Sequence, residues 1–221
     1  LVIVGPTAVG KSDVSIRLAQ AYKGEIVCAD SRTQYRGMDI GAAKPTAAQR
    51  ALVAHHLLDT IAPDEHFSLA QFQVQAYAAI AVISARGCLP LLVGGSGLYV
   101  KAVVEGFRIP QMAPDLALRQ SLADEATRRG IEHLYAELQR VDPEAARRIE
   151  PTNVRRVIRA LEVFRQLGVP ISQLQQKQPP SYRIVQLGLT RPMASLERRI
   201  SARVDALLAE GLVEEVRGLV Q

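Results

Sequence analysis

Eight residues near the start of the chain, Gly5-Pro6-Thr7-Ala8-Val9-Gly10-Lys11-Ser12, have the types and spacing to hold linked phosphates. They match G-x-x-x-x-G-K-[ST] at every fixed position. Glycines let the backbone curl so that several N–H groups point into one concavity. The positive end of a following helix adds to the attraction for an anion. Lys11 is placed to reach terminal phosphate oxygens, and the Ser12 hydroxyl to ligate Mg²⁺. A chance glycine turn would lack the context the motif requires. Here an apolar run, Leu1 to Val4, precedes it and an amphipathic pattern follows.

A phosphate site acquires a reaction from the acid that accompanies it. Many phosphate-loop hydrolases hold Mg²⁺ with an Asp at the end of an apolar strand. The run Pro90 to Val93 ends instead in Gly94-Gly95. The acids on offer are Asp30, at the carboxyl end of a second apolar run, and less convincingly Asp59. In open α/β sheets that end faces the ligand. Asp30 therefore suits a general base acting on an acceptor group, as in a small-molecule kinase or another transferase. The alternative is an Asp that shapes the following turn.

Basic residues cluster later. Arg147, Arg148, Arg155, Arg156 and Arg159 fall within one short stretch. On a helix from Asn153 to Leu167, Val154, Ile158, Leu161 and Phe164 would be buried. Arg155 and Arg159 would lie on the opposite face. Such a cluster serves either as a solvated face or as a phosphate-contacting surface. Arg203 shares the apolar stripe of Leu196, Ile200 and Leu207. There it needs an anionic partner, or must snorkel to water.

The elements that would position these groups follow from periodicity. The continuous apolar run at residues 1–4 and the stretches 25–29 and 90–93 read as parallel strands buried on both faces. His56 to Asp59 reads as a short third strand. Lys11 to Tyr22 and Ser68 to about Arg86 read as helices, the second opened by a Ser68/Gln71 capping box. Ser96 is placed to cap another helix, which carries Tyr99 and Lys101. This alternation predicts an α/β fold: a P-loop NTPase-like parallel sheet flanked by helices. Residues from about 108 to 181 are nearly all helical in pattern and predict a small all-helical insertion domain. Residues 1–107 and 182–221 then form the catalytic core. Tyr182 to Thr190 reads as the returning strand, and Ala194 to Glu210 as a helix.

The 221 residues carry a net charge of +5 and 48% hydrophobic residues, ordinary for a soluble globular protein. No uninterrupted apolar run approaches the roughly 18 residues of a membrane span, and no signal-peptide pattern occurs. Cys28 and Cys88 sit in apolar runs, so buried thiols in a reducing, cytoplasmic setting are expected. The histidines and cysteines never fall at zinc-ligand spacing. The chain opens at Leu1 inside a strand pattern and closes at Gln221 inside a helical one, so further residues are expected at both ends.

Three stretches resemble one family. Asp30-Ser31, Tyr35-Arg36-Gly37-Met38-Asp39-Ile40-Gly41 and Ala43-Lys44-Pro45 together resemble the signature of bacterial-type tRNA dimethylallyltransferases, the tRNA isopentenyltransferase family. Gly94 to Tyr99 resembles its second motif, and Arg155 to Val163 its third. The resemblance implies transfer of a dimethylallyl group from dimethylallyl diphosphate. The acceptor is N6 of the adenosine 3′-adjacent to the anticodon, in tRNAs that read codons beginning with U. Gly5 to Ser12 would then hold a diphosphate leaving group, with Lys101 a further contact. Lys11, Arg203 and Ser12 with Mg²⁺ would neutralise the departing charge, and Asp30 would take the N6 proton. Asp30, Ser31, Arg32, Thr33, Ser96, Arg119, Arg155, Arg156, Val157, Ile158 and Arg159 match family positions that touch the tRNA anticodon stem-loop. A monomer is expected.

The sequence departs from the family in places. Ala42 stands where Thr is usual and loses a hydroxyl, whereas Ser12 and Ser96 keep theirs. The connection near Gln178 to Ser181 is short, and the family's further C-terminal segment does not follow Gln221. Three rival readings share the phosphate loop. They are a small-molecule kinase, an adenylate isopentenyltransferase making free cytokinin, and a non-enzymatic RNA-binding protein.

Overall fold

The computed structural model describes residues 1–110 and 112–220. The chain folds as two compact units, residues 1–106 with 179–220 and residues 107–178.

The first unit is built on five parallel strands: β1 (Val2–Val4), β2 (Gly24–Cys28), β3 (His55–His56), β4 (Leu89–Val93) and β5 (Gln186–Gly188). Their order is β3-β2-β4-β1-β5, with Ile3 opposite Val93 and Cys28 also opposite Val93. Successive strand residues face opposite sides, and here both sides are apolar. Val2, Val27 and Leu92 turn toward α3 (Leu69–Ala85) and α4 (Gly97–Val104), packing with Phe72, Ala76, Val100 and Val103. Ile3, Ile26, Leu91 and Val93 turn to the other side, against Ile16 and Ala19 of α1 (Lys11–Ala21). Sheet and flanking helices thus form the expected α/β fold. The Ser68 capping box is present.

Some local expectations change. The third strand is His55–His56 and stops before Leu57 and Asp59. Those two residues adopt φ of 60° and 57°, in the left-handed region that no strand uses. The returning strand β5 shrinks to three exposed edge residues. Of the stripe assigned to α10 (Met193–Ala209), Leu196 is buried, whereas Ile200 is 39% exposed. A further helix, α11 (Leu212–Val220), sends Glu215 to accept the backbone N–H groups of Asp39, Ile40 and Gly41 at 2.6–2.9 Å.

The second unit is all helix: α5 (Leu116–Arg129), α6 (Ile131–Val141), α7 (Pro143–Arg148), α8 (Val154–Leu167) and α9 (Ile171–Leu174). A bridge between Phe107 and Lys177 brings its two ends together. Leu122, Leu134, Leu138, Val157, Leu161 and Val163 are fully buried at its centre. The burial on α8 is broader than the Val154/Ile158/Leu161/Phe164 stripe. Val157, Ile158 and Ala160 through Val163 are buried, Arg159 keeps part of its side chain at the surface, and Val154 in the first turn is 37% exposed. The reason is that α8 is covered by α5, α6 and α9 on more than one side.

Candidate active site

Sequence dictates the shape of the phosphate loop. Ala8 (φ 58°) and Gly10 (φ 106°) take left-handed conformations, and a Cβ on Gly5 would lie 2.7 Å from the Leu189 carbonyl oxygen. Gly10 is the N-cap of α1 and offers no capping side chain, so the first N–H groups of the helix open toward the loop. Two arginines from far along the chain hold the loop's carbonyls. Arg199 Nε donates to Ala8 O at 2.7 Å, and Arg191 Nε to Val9 O at 3.0 Å. In a trans peptide the carbonyl and the following N–H point in opposite directions. Tying back the carbonyls of Ala8 and Val9 therefore aims the N–H groups of Val9 and Gly10 the other way. Lys11 Nζ donates to Gly5 O and Pro6 O, both at 2.9 Å, and so lies folded along the loop.

A cavity of about 350 Å³ opens above this loop. Its lining includes Thr7, Ala8, Gly10, Lys11 and Ser12 from the loop, Asp30 and Gly95 from the strand ends, Ala42, Ala43 and Pro45, and Arg199 and Arg203. Pro6 is exposed and Val9 buried, and neither lines the cavity. Burial pushes the Lys11 ammonium below its ordinary value. The Asp30 carboxylate opposes that shift and the nearby Arg203 adds to it. Cations are therefore crowded here in the way an anionic ligand relieves.

Asp30 does two jobs at once. Its Oδ1 accepts the Arg32 N–H at 2.9 Å, and its backbone carbonyl takes bonds from Thr33 and Gln34, so it shapes the turn. Its Oδ2 faces the cavity. A Cβ placed on Gly95 would lie 4.0 Å from that oxygen and 3.8 Å from Lys11 Nζ. Carboxylate and lysine therefore border the same small space. Gly94 makes this possible, because a Cβ there would fall 2.0 Å from Ala29 O. The end of β4 can approach the end of β2 only with no side chain between them.

Ser96 is the N-cap of α4, but its hydroxyl does not cap that helix. It accepts the Ser31 N–H at 3.1 Å instead, and so holds the residue after Asp30 in place. Arg32 is exposed and Thr33 buried. Lys101 is exposed on α4 and lies outside the cavity lining.

In the helical unit, Arg155 and Arg156 are exposed in the first turn of α8. Val157 is fully buried and Ile158 nearly so, so their side chains belong to the core. Arg119 and Arg159 converge on Glu162, a carboxylate with no exposed surface.

Sequence reasoning missed Glu162, Arg191, Arg199 and the network around Lys44. The Lys44 ammonium is buried and bonds Tyr35 O, Asp39 and Asp59. Glu162 was findable as an acid inside the apolar arc of α8. Arg199 was findable as the residue one helical turn before Arg203. Arg191 sits in an irregular segment with no pattern to read, and Lys44 was read only within the Ala43-Lys44-Pro45 signature, without its partners.

Comparison with known proteins gives a consistent result. A family model described as IPP transferase matches residues 33–221. The tRNA dimethylallyltransferase of Herpetosiphon aurantiacus is 56% identical over the whole chain, which covers 70% of that protein. That of Roseiflexus castenholzii is 57% identical, with 72% of its length covered. Among solved structures, the full-length tRNA isopentenylpyrophosphate transferase of Bacillus halodurans is 43% identical. Its TM-score is 0.67, over 99% of this chain and 69% of that one. A eukaryotic dimethylallyltransferase acting on tRNA is 27% identical. Its TM-score is 0.81, with 99% of this chain and 55% of that one covered.

Proposed function

On the premise that this chain belongs to the IPP transferase family, we propose that it modifies tRNA. It transfers a dimethylallyl group from dimethylallyl diphosphate to N6 of the adenosine 3′-adjacent to the anticodon and releases diphosphate. The observation that carries this reading is the shared border of Asp30 Oδ2, Lys11 Nζ and Arg203 on one cavity. A cationic cradle for a leaving anion and a carboxylate for an acceptor amine then lie within a few ångströms of each other.

The chemistry balances without a further reactant. The bond from the allylic carbon to the diphosphate oxygen breaks, and both electrons leave with the diphosphate. The N6 lone pair forms the new carbon–nitrogen bond, and the N6 proton passes to Asp30 Oδ2. The amide N–H groups of the loop, Lys11 and Arg203 stabilise charge as it accumulates on the leaving oxygens. An adenine amine is a weak nucleophile, so holding it beside the allylic carbon contributes much of the rate. The base must leave its stack to enter such a cavity. The turn from Asp30 to Thr33, fixed by Ser96, is placed to receive it.

A magnesium ion suits this donor set, because it favours hard oxygens and shares its shell with phosphate. The Ser12 hydroxyl would hold it, and when bound it would add positive charge beside the diphosphate. Among the described residues no cluster of three or more His, Cys, Asp or Glu could hold a metal alone. The helical unit, with Arg119, Arg155, Arg156 and Arg159, serves as the docking surface for the anticodon stem. We propose that the protein acts as a cytoplasmic monomer.

Labelled dimethylallyl diphosphate with Mg²⁺, offered to unmodified tRNA and separately to AMP, tests the reading. Label on tRNA alone is expected. Label on AMP would move the assignment to free-cytokinin synthesis. ATP consumption without prenyl transfer would make the protein a kinase.

A further inference from the structure

Glu162 is the most completely enclosed carboxylate in the helical unit, with no exposed surface, and it is set among apolar residues of α8. Its Oε1 accepts the Asp115 N–H and Arg119 Nε–H, each at 2.9 Å, and its Oε2 accepts from Arg159 Nη1 at 2.6 Å. Arg119 comes from α5 and Arg159 from α8, so one buried acid ties together two helices and two guanidinium groups. The arginine side chains are 37% and 31% exposed. Each gives one edge to Glu162 and keeps part of its donor fork at the surface.

A buried ion pair contributes little net stability compared with a well-packed apolar residue, because desolvation offsets the attraction. What such an acid does supply is orientation. Arginine forms two-pronged bonds to phosphate only when its planar fork is held at the right angle. A free arginine must give up much side-chain freedom to reach that angle.

We propose that Glu162 is a positioning residue for RNA binding. It holds Arg119 and Arg159 from within the core so that their exposed edges meet adjacent backbone phosphates of the anticodon stem. The inference rests on the proposed tRNA-docking role of this unit. It makes a prediction opposite in sign to simple electrostatics. Glu162→Gln raises the net charge by one, which by itself would strengthen attraction to RNA. Loss of positioning weakens it.

The test uses the full chain and an unmodified anticodon stem-loop RNA, with binding followed by fluorescence anisotropy at several salt concentrations. Diphosphate binding to the phosphate loop is measured in parallel by calorimetry. Glu162→Gln is expected to weaken stem-loop binding about tenfold. It should also flatten the salt dependence by roughly 1.4 to 1.8 in log–log slope, the equivalent of two phosphate contacts. Diphosphate affinity should stay unchanged. In an Arg119→Ala/Arg159→Ala background, adding Glu162→Gln should weaken binding no further.

Equal or tighter RNA binding by Glu162→Gln overturns the proposal. So does an equal loss in the background that lacks both arginines. If removing the two arginines leaves stem-loop binding intact, the docking role itself fails, and that arm alone identifies the failure. Should Glu162→Gln unfold the helical unit, Glu162→Asp keeps the charge and shortens the reach by one methylene. An intermediate loss of RNA binding supports positioning, and wild-type affinity refutes it.

Discussion

Gly94 and Gly95 are neighbours, yet replacing each with alanine should have opposite consequences. At Gly94 the new Cβ would sit 2.0 Å from Ala29 O, 2.4 Å from its carbonyl carbon and 2.9 Å from its Cα, all backbone atoms. Ordinary contact begins near 3.4 Å, so the ends of β2 and β4 must part by more than an ångström. Ala29 is fully buried, and its N–H donates to Val93 O at 2.8 Å while its carbonyl accepts the Ser96 N–H at 3.3 Å. Parting the strands strains or breaks both bonds. Each is worth about 1 kcal/mol net, with about 1–3 kcal/mol more where a buried group is left unsatisfied. Gly94→Ala should therefore lose about 3–5 kcal/mol in urea unfolding, and prenyl transfer with it, since Asp30 follows Ala29. At Gly95 the nearest atoms to a new Cβ are Lys11 Nζ at 3.8 Å and Asp30 Oδ2 at 4.0 Å. Stability should move by less than about 0.5 kcal/mol. The methyl group would nonetheless occupy the space between lysine and carboxylate, where donor and acceptor must meet. A fall of roughly 100-fold in kcat/KM is expected from displacement on this scale. A Gly94→Ala protein that is stable and active would refute the close approach as the basis of the site. A Gly95→Ala protein with unchanged kcat/KM would refute the placement of the reaction beside it.

Further outcomes follow from the same structure. Asp30→Asn keeps the Oδ1 contact to the Arg32 N–H but removes the base. Transfer should fall by about 10²–10⁴-fold with diphosphate affinity retained, and loss of binding and fold together would instead make Asp30 structural. Burial and the nearby Asp30 carboxylate push the Cys28 thiol up to about 12. Iodoacetamide near pH 8 should therefore spare Cys28 in the native protein and label it only after unfolding, as peptide mass spectrometry would show. Three carboxylates titrate below their ordinary range. Glu25 does so chiefly through His56. Burial pushes Asp59 and Glu162 upward, but the bonds from Lys44 and Arg50, and from Arg159, the Asp115 N–H and Arg119, outweigh it. A depressed native value contributes stability above the unfolded value and loses it as pH falls through the native one. The melting temperature should hold from neutrality down to about pH 5 and decline below about pH 4.5. A decline beginning nearer pH 6 would point to histidine instead.

Local physics was legible in the sequence, and long-range closure was not. The loop from Gly5 to Ser12 could be read because its shape is set by its own glycines and by the helix it opens. Strands β1, β2 and β4 could be read because both their faces are apolar. His56 to Asp59 could not. Asp59 donates its N–H to Thr33 O, and its carboxylate pairs with Lys44 and Arg50, contacts that impose a conformation no strand propensity predicts. The loop contacts of the two arginines that set its inner surface are also invisible to local pattern, even though Arg199 shares a helix face with Arg203. Arg191 and Arg199 lie 182 and 191 residues from the carbonyls they hold. Glu162 shows the limit of binary patterning, since one buried acid among apolar neighbours becomes intelligible only once α5 supplies Arg119.

The position of the acid separates this site from a phosphoryl-transfer site built on the same loop. A hydrolase needs a carboxylate on the metal, and the strand beside the loop can supply it from its end. Here that strand is β4, and it ends in two glycines. Their lack of side chains does more than omit an acid. Gly94 lets the backbone of β2 close onto β4, and that closure carries Asp30 to the rim of the cavity, facing Lys11 across Gly95. Ser96 then pins Ser31, so the turn after Asp30 cannot swing away. The carboxylate is thereby placed at the side of the phosphate cradle where an entering amine would stand, while Ser12 remains at the foot of the loop. An acid at position 94 would require a side chain where Ala29 O now lies, so that position cannot carry one without parting β2 from β4. On the proposed reading, the pair Gly94-Gly95 leaves this phosphate loop to hold a leaving group while Asp30 serves the nucleophile.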